Sequence, residues 1–489
     1  MNALFFAVPE PQRMSSTAFV SPDQIRSQFS QAMSAMYRKE VPLYGDLIEL
    51  VGEVNAAVLE TNPQTLQQLD RGESLEALSE ERHGAIRLGS AEELSTMRRL
   101  FAVMGMYPVG YYDLTEAGIP VHSTAFRPLS MEALRANPFR VFTSLLCTDL
   151  ISDPALREQA ESVIGSRQIF TPHALTLIER FEQDGGLSES DAASFVTESL
   201  ETFRWHSEAL VDSDTYQQLH DSHRLIADIV SFKGPHINHL TPRTLDIDMA
   251  QEKMIAANMS AKAIIEGPPT RQHPILLRQT SFKALQETVA FKQTDGESKT
   301  GAHTARFGEI EQRGMALTPK GRELYDRLLD DVRLQVPHPE SNPAGYQQVL
   351  VSVFSEFPDD IETLRKQELA YFEYHAGTGL PETTNSLLTL MCEQSPDLLD
   401  NLKQGELSTE IDGLIALGLV TALPITYEDF LPVSAAGIFQ SNLGQEAAQD
   451  FTQSANQTSF EQALGTSVSD PFEWYENVQQ NSLKQLARK

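Results

Sequence analysis

Glu81-Arg82-His83-Gly84-Ala85-Ile86-Arg87-Leu88 and, further along the chain, Ile237-Asn238-His239-Leu240-Thr241-Pro242-Arg243 share one pattern, H-x-x-x-R. Side chains on a strand alternate faces, so residues four apart lie on the same side. Each run therefore presents an imidazole and a guanidinium together. Pro242 lies inside the second run and weakens a regular strand there.

The surroundings of the two runs also repeat. After residues 83–88, Ser90 and Glu93 form a capping-box pattern opening a helix through Leu94, Met97, Leu100, Phe101 and Met104, with Gly105 at its end. Strand-like runs follow at 107–114, 121–128 and 139–146, divided by Gly118-Ile119-Pro120 and Ala136-Asn137-Pro138. The order is β-α-β-β-β. After residues 237–245, Asp248 and Gln251 resemble a capping box for a helix to about Met259. Strand-like runs then occupy 263–266, 275–280, 288–292 and 304–311, with 294–301 as a hairpin connection. These patterns predict an α+β fold with two βαβββ modules, at 80–146 and 237–312.

The remainder reads as wrapping. Residues 21–60 predict packing helices, with Ser21-Pro22 as a start signal and Ile25, Phe29, Met33 and Met36 at helical spacing. Residues 150–230 read as a helical insertion, 315–420 as mainly helical, and 429–443 as a loop of small and apolar residues. The expected organisation is a disordered extension over 1–16, a single catalytic unit over 17–465 and a tail over 466–489. Met14 is a second candidate start.

Composition narrows the partners. With 38 basic and 68 acidic residues the net charge is −30. Such a surface repels phosphate backbones and anionic bilayers, which excludes nucleic acid and membrane surfaces as partners. An anionic substrate requires basic residues concentrated in a pocket. No segment approaches transmembrane length. Two cysteines, Cys147 and Cys392, in unrelated contexts give neither a disulfide framework nor a thiolate zinc cluster, and they fit a reducing, cytoplasmic setting. Oligomeric state has no signature in the sequence.

A lone strand histidine is ordinarily structural. Matched histidines in matched units point instead to a shared metal, with Arg87 and Arg243 placed to meet an anion. The run Arg306-Phe307-Gly308-Glu309-Ile310-Glu311 can supply a carboxylate, and its parity puts Glu309 and Glu311 on one face. Two histidines and one carboxylate with open positions form the facial triad of non-haem iron(II) oxygenases. His236 falls on the opposite face from His239 and reads as structural. His303 stands about 20 Å along an extended strand from Glu309. His220-x-x-His223 has no carboxylate at a helpful spacing.

Four segments carry a specific resemblance: Glu81–Arg87, Lys233–Arg243, His303–Gly314 and Phe430–Gly437. The chain, from about Phe19 to about Leu464, resembles the 2-oxoadipate dioxygenase/decarboxylase family, also called 2-hydroxyglutarate synthases, of the vicinal oxygen chelate superfamily. The resemblance implies a core of two βαβββ modules forming a curved sheet. It implies Fe(II) held by His83, His239 and Glu309; Glu311 replaces Glu309 only if it is the carboxylate that faces the histidines. It further implies that Arg87 binds a substrate carboxylate, with contacts from Val433 and Ser434. The implied reaction takes 2-oxoadipate and O2 to 2-hydroxyglutarate and CO2 in lysine catabolism, without a second organic cosubstrate. Two alternatives stay open: a related metalloenzyme acting on another 2-oxo acid, and a non-catalytic dicarboxylate-binding protein.

Overall fold

Two helices, α1 (Pro22–Glu40) and α2 (Pro42–Thr61), begin the ordered architecture. Ser21 and Gln24 form a reciprocal capping box at the start of α1, and Pro42 restarts the chain as α2. The computed structural model describes residues 19–62, 78, 80–293, 297–377, 395–407, 410–431 and 455–487. The expected extension 1–16, Cys392, Val433 and Ser434 lie outside these.

The strands are β1 (Glu81–Leu88), β2 (Tyr107–Asp113), β3 (Val121–Arg127), β4 (Arg140–Leu146), β5 (Glu208–Ala209), β6 (His239–Pro242), β7 (Leu277–Ser281), β8 (Gln286–Lys292), β9 (Ser298–Thr304), β10 (Phe307–Arg313), β11 (Phe372–Ala376) and β12 (Val420–Pro424). Seven form one sheet in the order β2-β3-β4-β1-β6-β10-β7. Its centre is close to palindromic. β1 pairs antiparallel with β6, each has a parallel outer neighbour (β4 or β10), and each of those has an antiparallel neighbour (β3 or β7).

The register expresses the same symmetry. His83 stands opposite Thr241, and Ala85 opposite His239. The correspondence that carries His83 to His239 also carries Ala85 to Thr241, so it turns one pair into the other. His83 pairs with Arg140 on β4 as His239 pairs with Phe307 on β10. The two H-x-x-x-R strands are thus quasi-twofold mates at the middle of one sheet.

All eight residues of β1 are buried. Ile86 and Leu88 join Phe29, Met33, Leu47 and Val51 of α1 and α2 in the largest apolar core. Ala85 looks the other way, into a cluster with Phe142 and Phe430. The face shared by His83, Ala85 and Arg87 is therefore an interior. A second core joins the helices Pro319–Gln335 and Pro343–Val353 to β11 and the helix Pro471–Leu486.

Several local expectations change. β6 is only four residues long, and the helix after it (Ile247–Ala256) is capped by Asp246, whose side chain accepts from the Met249 amide. Asp248 is instead paired with Arg278, Nη1 to Oδ2 at 2.7 Å. The hairpin β8–β9 leaves the main sheet and joins β5 in a sheet of its own. Segment 261–266 forms no strand of its own and meets β7 and the residue after it through isolated bridges, Glu266 to Gln279 and Ala261 to Phe282. Region 315–420 contains the strand β11, which pairs antiparallel with β12, beginning at Val420. The helix that the sequence places at the end of the tail is present as Pro471–Leu486, and it is packed, with Tyr475, Leu483 and Leu486 buried.

Gly308 fixes how closely β10 approaches α2. A Cβ there would lie 2.5 Å from the Phe282 ring and 2.9 Å from both Leu47 and Tyr44. Overpacking of this kind typically costs about 1–3 kcal/mol. Gly308→Ala is expected to destabilise the protein by that amount in chemical denaturation. An unchanged midpoint and slope would show that the contact is not close packed.

Candidate metal centre

The strand ladder assembles the site. His83 on β1 faces Thr241 on β6, and the parallel register of β10 with β6, from Phe307–His239 through the Arg243–Glu311 bridge, brings Glu309 alongside Thr241. Ser281 on β7 stands opposite Glu309. His239 sits one step along, beside Phe307. Residues from three neighbouring strands and both modules thus meet on the interior face.

One donor atom from each of His83, His239 and Glu309 lies within 4.8 Å of the other two, and all three residues are buried. His83 Nε2 is 3.0 Å from Glu309 Oε1, and His239 Nε2 is 4.0 Å from the same oxygen. Gln279 Nε2 donates to Glu309 Oε1 at 2.6 Å, and Thr241 Oγ1 donates to it at 3.2 Å. Both ring nitrogens of His239 and Oε2 of Glu309 are buried and hydrogen-bonded to nothing among the described residues. Buried polar atoms are nearly always paired, so orphans converging on one point mark a place for a ligand.

The two carboxylates of β10 differ in surroundings. Glu311 Oε1 and Oε2 accept from Arg313 Nε and Nη2 at 2.5 and 2.9 Å, and Oε2 lies 2.9 Å from His83 Nδ1. Burial would raise the Glu311 carboxyl, but Arg313 and His83 hold it well below the usual carboxylate range. Among the described residues, Glu309 has no cationic partner of its own apart from His83, and burial pushes its carboxyl up. Burial, reinforced by His83 and Arg87, holds His239 well below the ordinary imidazole range and hence neutral. Burial lowers His83, but Glu311 and Glu309 more than offset it.

These features fit a divalent cation. A neutral imidazole at His239, the Nε2 edge of His83 and a carboxylate short of positive charge are a 2-His-1-carboxylate donor set. Glu311 stands behind His83 as carboxylates stand behind metal-bound histidines, holding Nδ1 so that Nε2 faces the metal. The expected choice of Glu309 over Glu311 therefore has a physical basis: Arg313 already engages Glu311.

A second group, Asp228, His236 and His303, meets the same proximity criterion. His303 Nε2 is 2.9 Å from Asp228 Oδ1, and His236 Nε2 is 3.4 Å from it. Arg87 Nη1 donates to Asp228 Oδ2 at 2.7 Å, and Tyr216 Oη is 2.8 Å from His303 Nδ1. Burial opposes ionisation of Asp228, yet His236, His303 and Arg87 hold it well below the usual range. A carboxylate already compensated by a guanidinium gains less from a metal, so this group reads as the anchor of Arg87. His303, far from Glu309 along the chain's own geometry, finds its role here.

The other sequence candidates separate cleanly. His223 caps the helix Arg224–Ser231, its Nδ1 accepting from the Leu225 amide at 3.1 Å. Arg243 is buried and bridges backbone to Glu311. Phe430 stands edge-on to His83 with centroids 4.8 Å apart, and Phe307 stacks on His239 at 4.7 Å. Sequence reasoning gave no role of their own to Thr241, Gln279, Asp228 or Phe430. Thr241 was within reach of it, since it shares parity with His239.

Beside this centre opens a cleft of about 210 Å³ lined by Arg87, Asp228, Ser281, Phe307 and others. Ser281 and Phe307 are the strand neighbours of Glu309 and His239, so the inner wall of the cleft adjoins two of the three candidate ligands.

Comparison with known proteins gives a consistent result. The family model for 2-oxoadipate dioxygenase/decarboxylase matches residues 29–442. A 2-oxoadipate dioxygenase/decarboxylase of Pseudomonas putida is 55% identical over 97% of this chain and 98% of its own length, and one of Escherichia coli is 52% identical over 95% and 98%. The crystal structure of a hydroxyglutarate synthase from Pseudomonas putida in complex with 2-oxoadipate superposes with a TM-score of 0.83, at 54% identity, covering 96% of this chain and 98% of that one. The chain belongs to the 2-oxoadipate dioxygenase/decarboxylase family.

Proposed function

We propose that this protein is an Fe(II)-dependent, cytoplasmic dioxygenase that converts 2-oxoadipate and O2 to 2-hydroxyglutarate and CO2 in lysine catabolism. The observation that carries the reading is the convergence of buried donor atoms from His83, His239 and Glu309, with both His239 ring nitrogens and Glu309 Oε2 unpaired among the described residues, beside a cleft containing Arg87. The substrate of the Pseudomonas putida relative, bound in its crystal structure, supports the choice of 2-oxo acid.

The atom balance explains why one organic substrate suffices. Loss of C1 as CO2 turns the keto carbon into a carboxyl and takes up one oxygen atom. Hydroxylation of the next carbon takes up the other. Each half is a two-electron oxidation, so together they reduce O2 by four electrons. Iron, when bound, supplies chelation of the 2-oxo acid and activation of O2.

The chain's own residues orient and insulate. Glu311 fixes the His83 ring, while Gln279 and Thr241 fix the Glu309 carboxylate through Oε1. Phe430 and Phe307 cover the two imidazoles with apolar surface and exclude water from them. Arg87 lies four residues from His83, about 13 Å along β1, and its side chain reaches part of that way back. It is placed to grip the distal carboxylate of a substrate whose other end is at the metal, and Asp228 holds the guanidinium in place. Val433 and Ser434 contribute further contacts under this reading.

Two tests separate the parts. Iron content after anaerobic loading is expected to fall to background in His83→Ala, His239→Ala and Glu309→Gln. Glu311→Gln should still load, with affinity lowered about 10–100-fold, and Asp228→Asn should load as wild type. Full iron in Glu309→Gln, or its loss in Asp228→Asn, would move the centre elsewhere.

Oxygen uptake across C5 to C7 2-oxo acids tests substrate choice. The wild type is expected to prefer 2-oxoadipate over 2-oxohexanoate. Arg87→Ala should keep iron and lose that preference, a change of a few kcal/mol. Arg87→Lys should recover only part of it, because bidentate geometry is gone. Wild-type selectivity in Arg87→Ala would make Arg87 structural, and no oxygen uptake with any 2-oxo acid would favour a binding protein.

A further inference from the structure

The cleft that ends at Arg87 is basic in a strongly acidic protein. Arg87, Arg224, Lys262 and Lys283 are four of its twelve lining residues, whereas the chain has only 38 basic residues in 489. Asp228 is the single acidic residue among the twelve. A surface of net charge −30 repels dianions on average, so a local inversion of sign needs a cause.

The cations are arranged by depth. Arg224 and Lys283 are exposed at the rim, Lys262 is half-buried, and Arg87 is buried at the inner end. They come from four separate places: the helix Arg224–Ser231, the segment before β7, the turn after it, and β1. Their mutual field is visible in their neighbours. Burial lowers the Lys262 ammonium, and Arg224 and Lys283 act in the same direction against Glu266 and Glu340. Burial lowers His223, with Arg224 and Arg87 adding to the effect.

We infer that this cleft is the substrate entrance, and that Arg224, Lys262 and Lys283 form an electrostatic funnel that draws a dicarboxylate past the acidic surface to Arg87. The inference rests on the reading of Arg87 as the carboxylate anchor. It assigns the rim cations to capture and positioning, not to chemistry. Low-dielectric walls focus the field of such a cluster into the cleft, and salt screens the exposed members within about 10 Å at 0.1 M.

The test uses the iron-loaded full chain. Arg224→Gln/Lys283→Gln is compared with a control, Arg180→Gln/Lys366→Gln, that removes the same two charges from exposed helices not lining the cleft. The expected result is a fall in kcat/KM for 2-oxoadipate of about three- to tenfold at low salt, carried by KM, in the cleft variant alone. The wild type should lose kcat/KM as ionic strength rises, and the cleft variant should lose much less. For 2-oxohexanoate, with one negative charge, the fall should be about half as large on a logarithmic scale. Equal effects in both double variants, or a wild-type salt dependence in the cleft variant, would overturn the funnel. Arg87→Ala run alongside keeps the two readings apart: retained selectivity there defeats the anchor, whereas lost selectivity with an unaltered cleft variant defeats only the funnel.

Discussion

The antiparallel pairing of β1 with β6 sets everything that follows at the site. Its register puts His83 opposite Thr241 and Ala85 opposite His239, so the two imidazoles lie two residues out of step on adjoining strands. Ring centroids 5.5 Å apart and nearly perpendicular are the result. A slip of one residue would turn one histidine to the opposite face, against the helical core. The slip is blocked on that face by close packing. A Cβ at Gly84 would lie 2.6 Å from Ile237, and one at Gly308 would strike Phe282. Apolar packing on one side of the sheet therefore holds the spacing of polar groups on the other.

The polar side is held by charge. Arg313 grips Glu311 and donates to the carbonyls of Tyr427 and Asp429 at 2.7 and 2.9 Å. Asp429 is paired with Arg127 at 2.8 Å and accepts from Tyr475 at 2.7 Å, while Glu428 lies 2.5 Å from Arg140. These groups are all buried. Removing one partner from such a lattice strands a buried charge, at a typical cost of about 3–5 kcal/mol. The lattice ties β10, β3 and β4 to segment 427–431, whose Phe430 then rests against His83. The same glutamate that orients His83 is thus a node in the frame that carries its aromatic cover.

Much of this was legible in the sequence, for identifiable reasons. The repeated H-x-x-x-R runs and the β-α-β-β-β order are local patterns, and period-two alternation is enough to put each histidine and arginine on a common face. Glu309 and Glu311 could not be told apart that way, because two positions of equal parity look alike. Arg313, of the same parity, is what distinguishes them, and only its bidentate contact reveals it. Residues 288–292 were read as a strand of the second module, with 294–301 as its connection, because alternation does not say which sheet a strand joins; residues 298–304 are instead a strand, and the pair β8–β9 forms a sheet with β5. β11 was missed as a five-residue strand within a polar, helix-rich stretch, and its partner β12 begins where that stretch ends. Asp228 is 141 residues from Arg87 and sits on a helix with nothing local to mark it.

The division between what was legible and what was not follows the architecture. The candidate metal ligands all come from the duplicated core, where symmetry and alternation repeat. The groups around the cleft come largely from excursions outside it. Asp228 and Arg224 belong to the helical insertion, with Tyr216 behind them, and His303 belongs to the hairpin that left the main sheet. These meet Arg87, the one basic residue of the cleft supplied by a central strand. A fold built this way can hold its ligands by strand register while the cleft is shaped by segments that are not bound to that register. Substrate selection can then change through the insertion and hairpin without disturbing His83, His239 and Glu309, because their spacing is set by the β1–β6–β10 ladder and the apolar packing behind it.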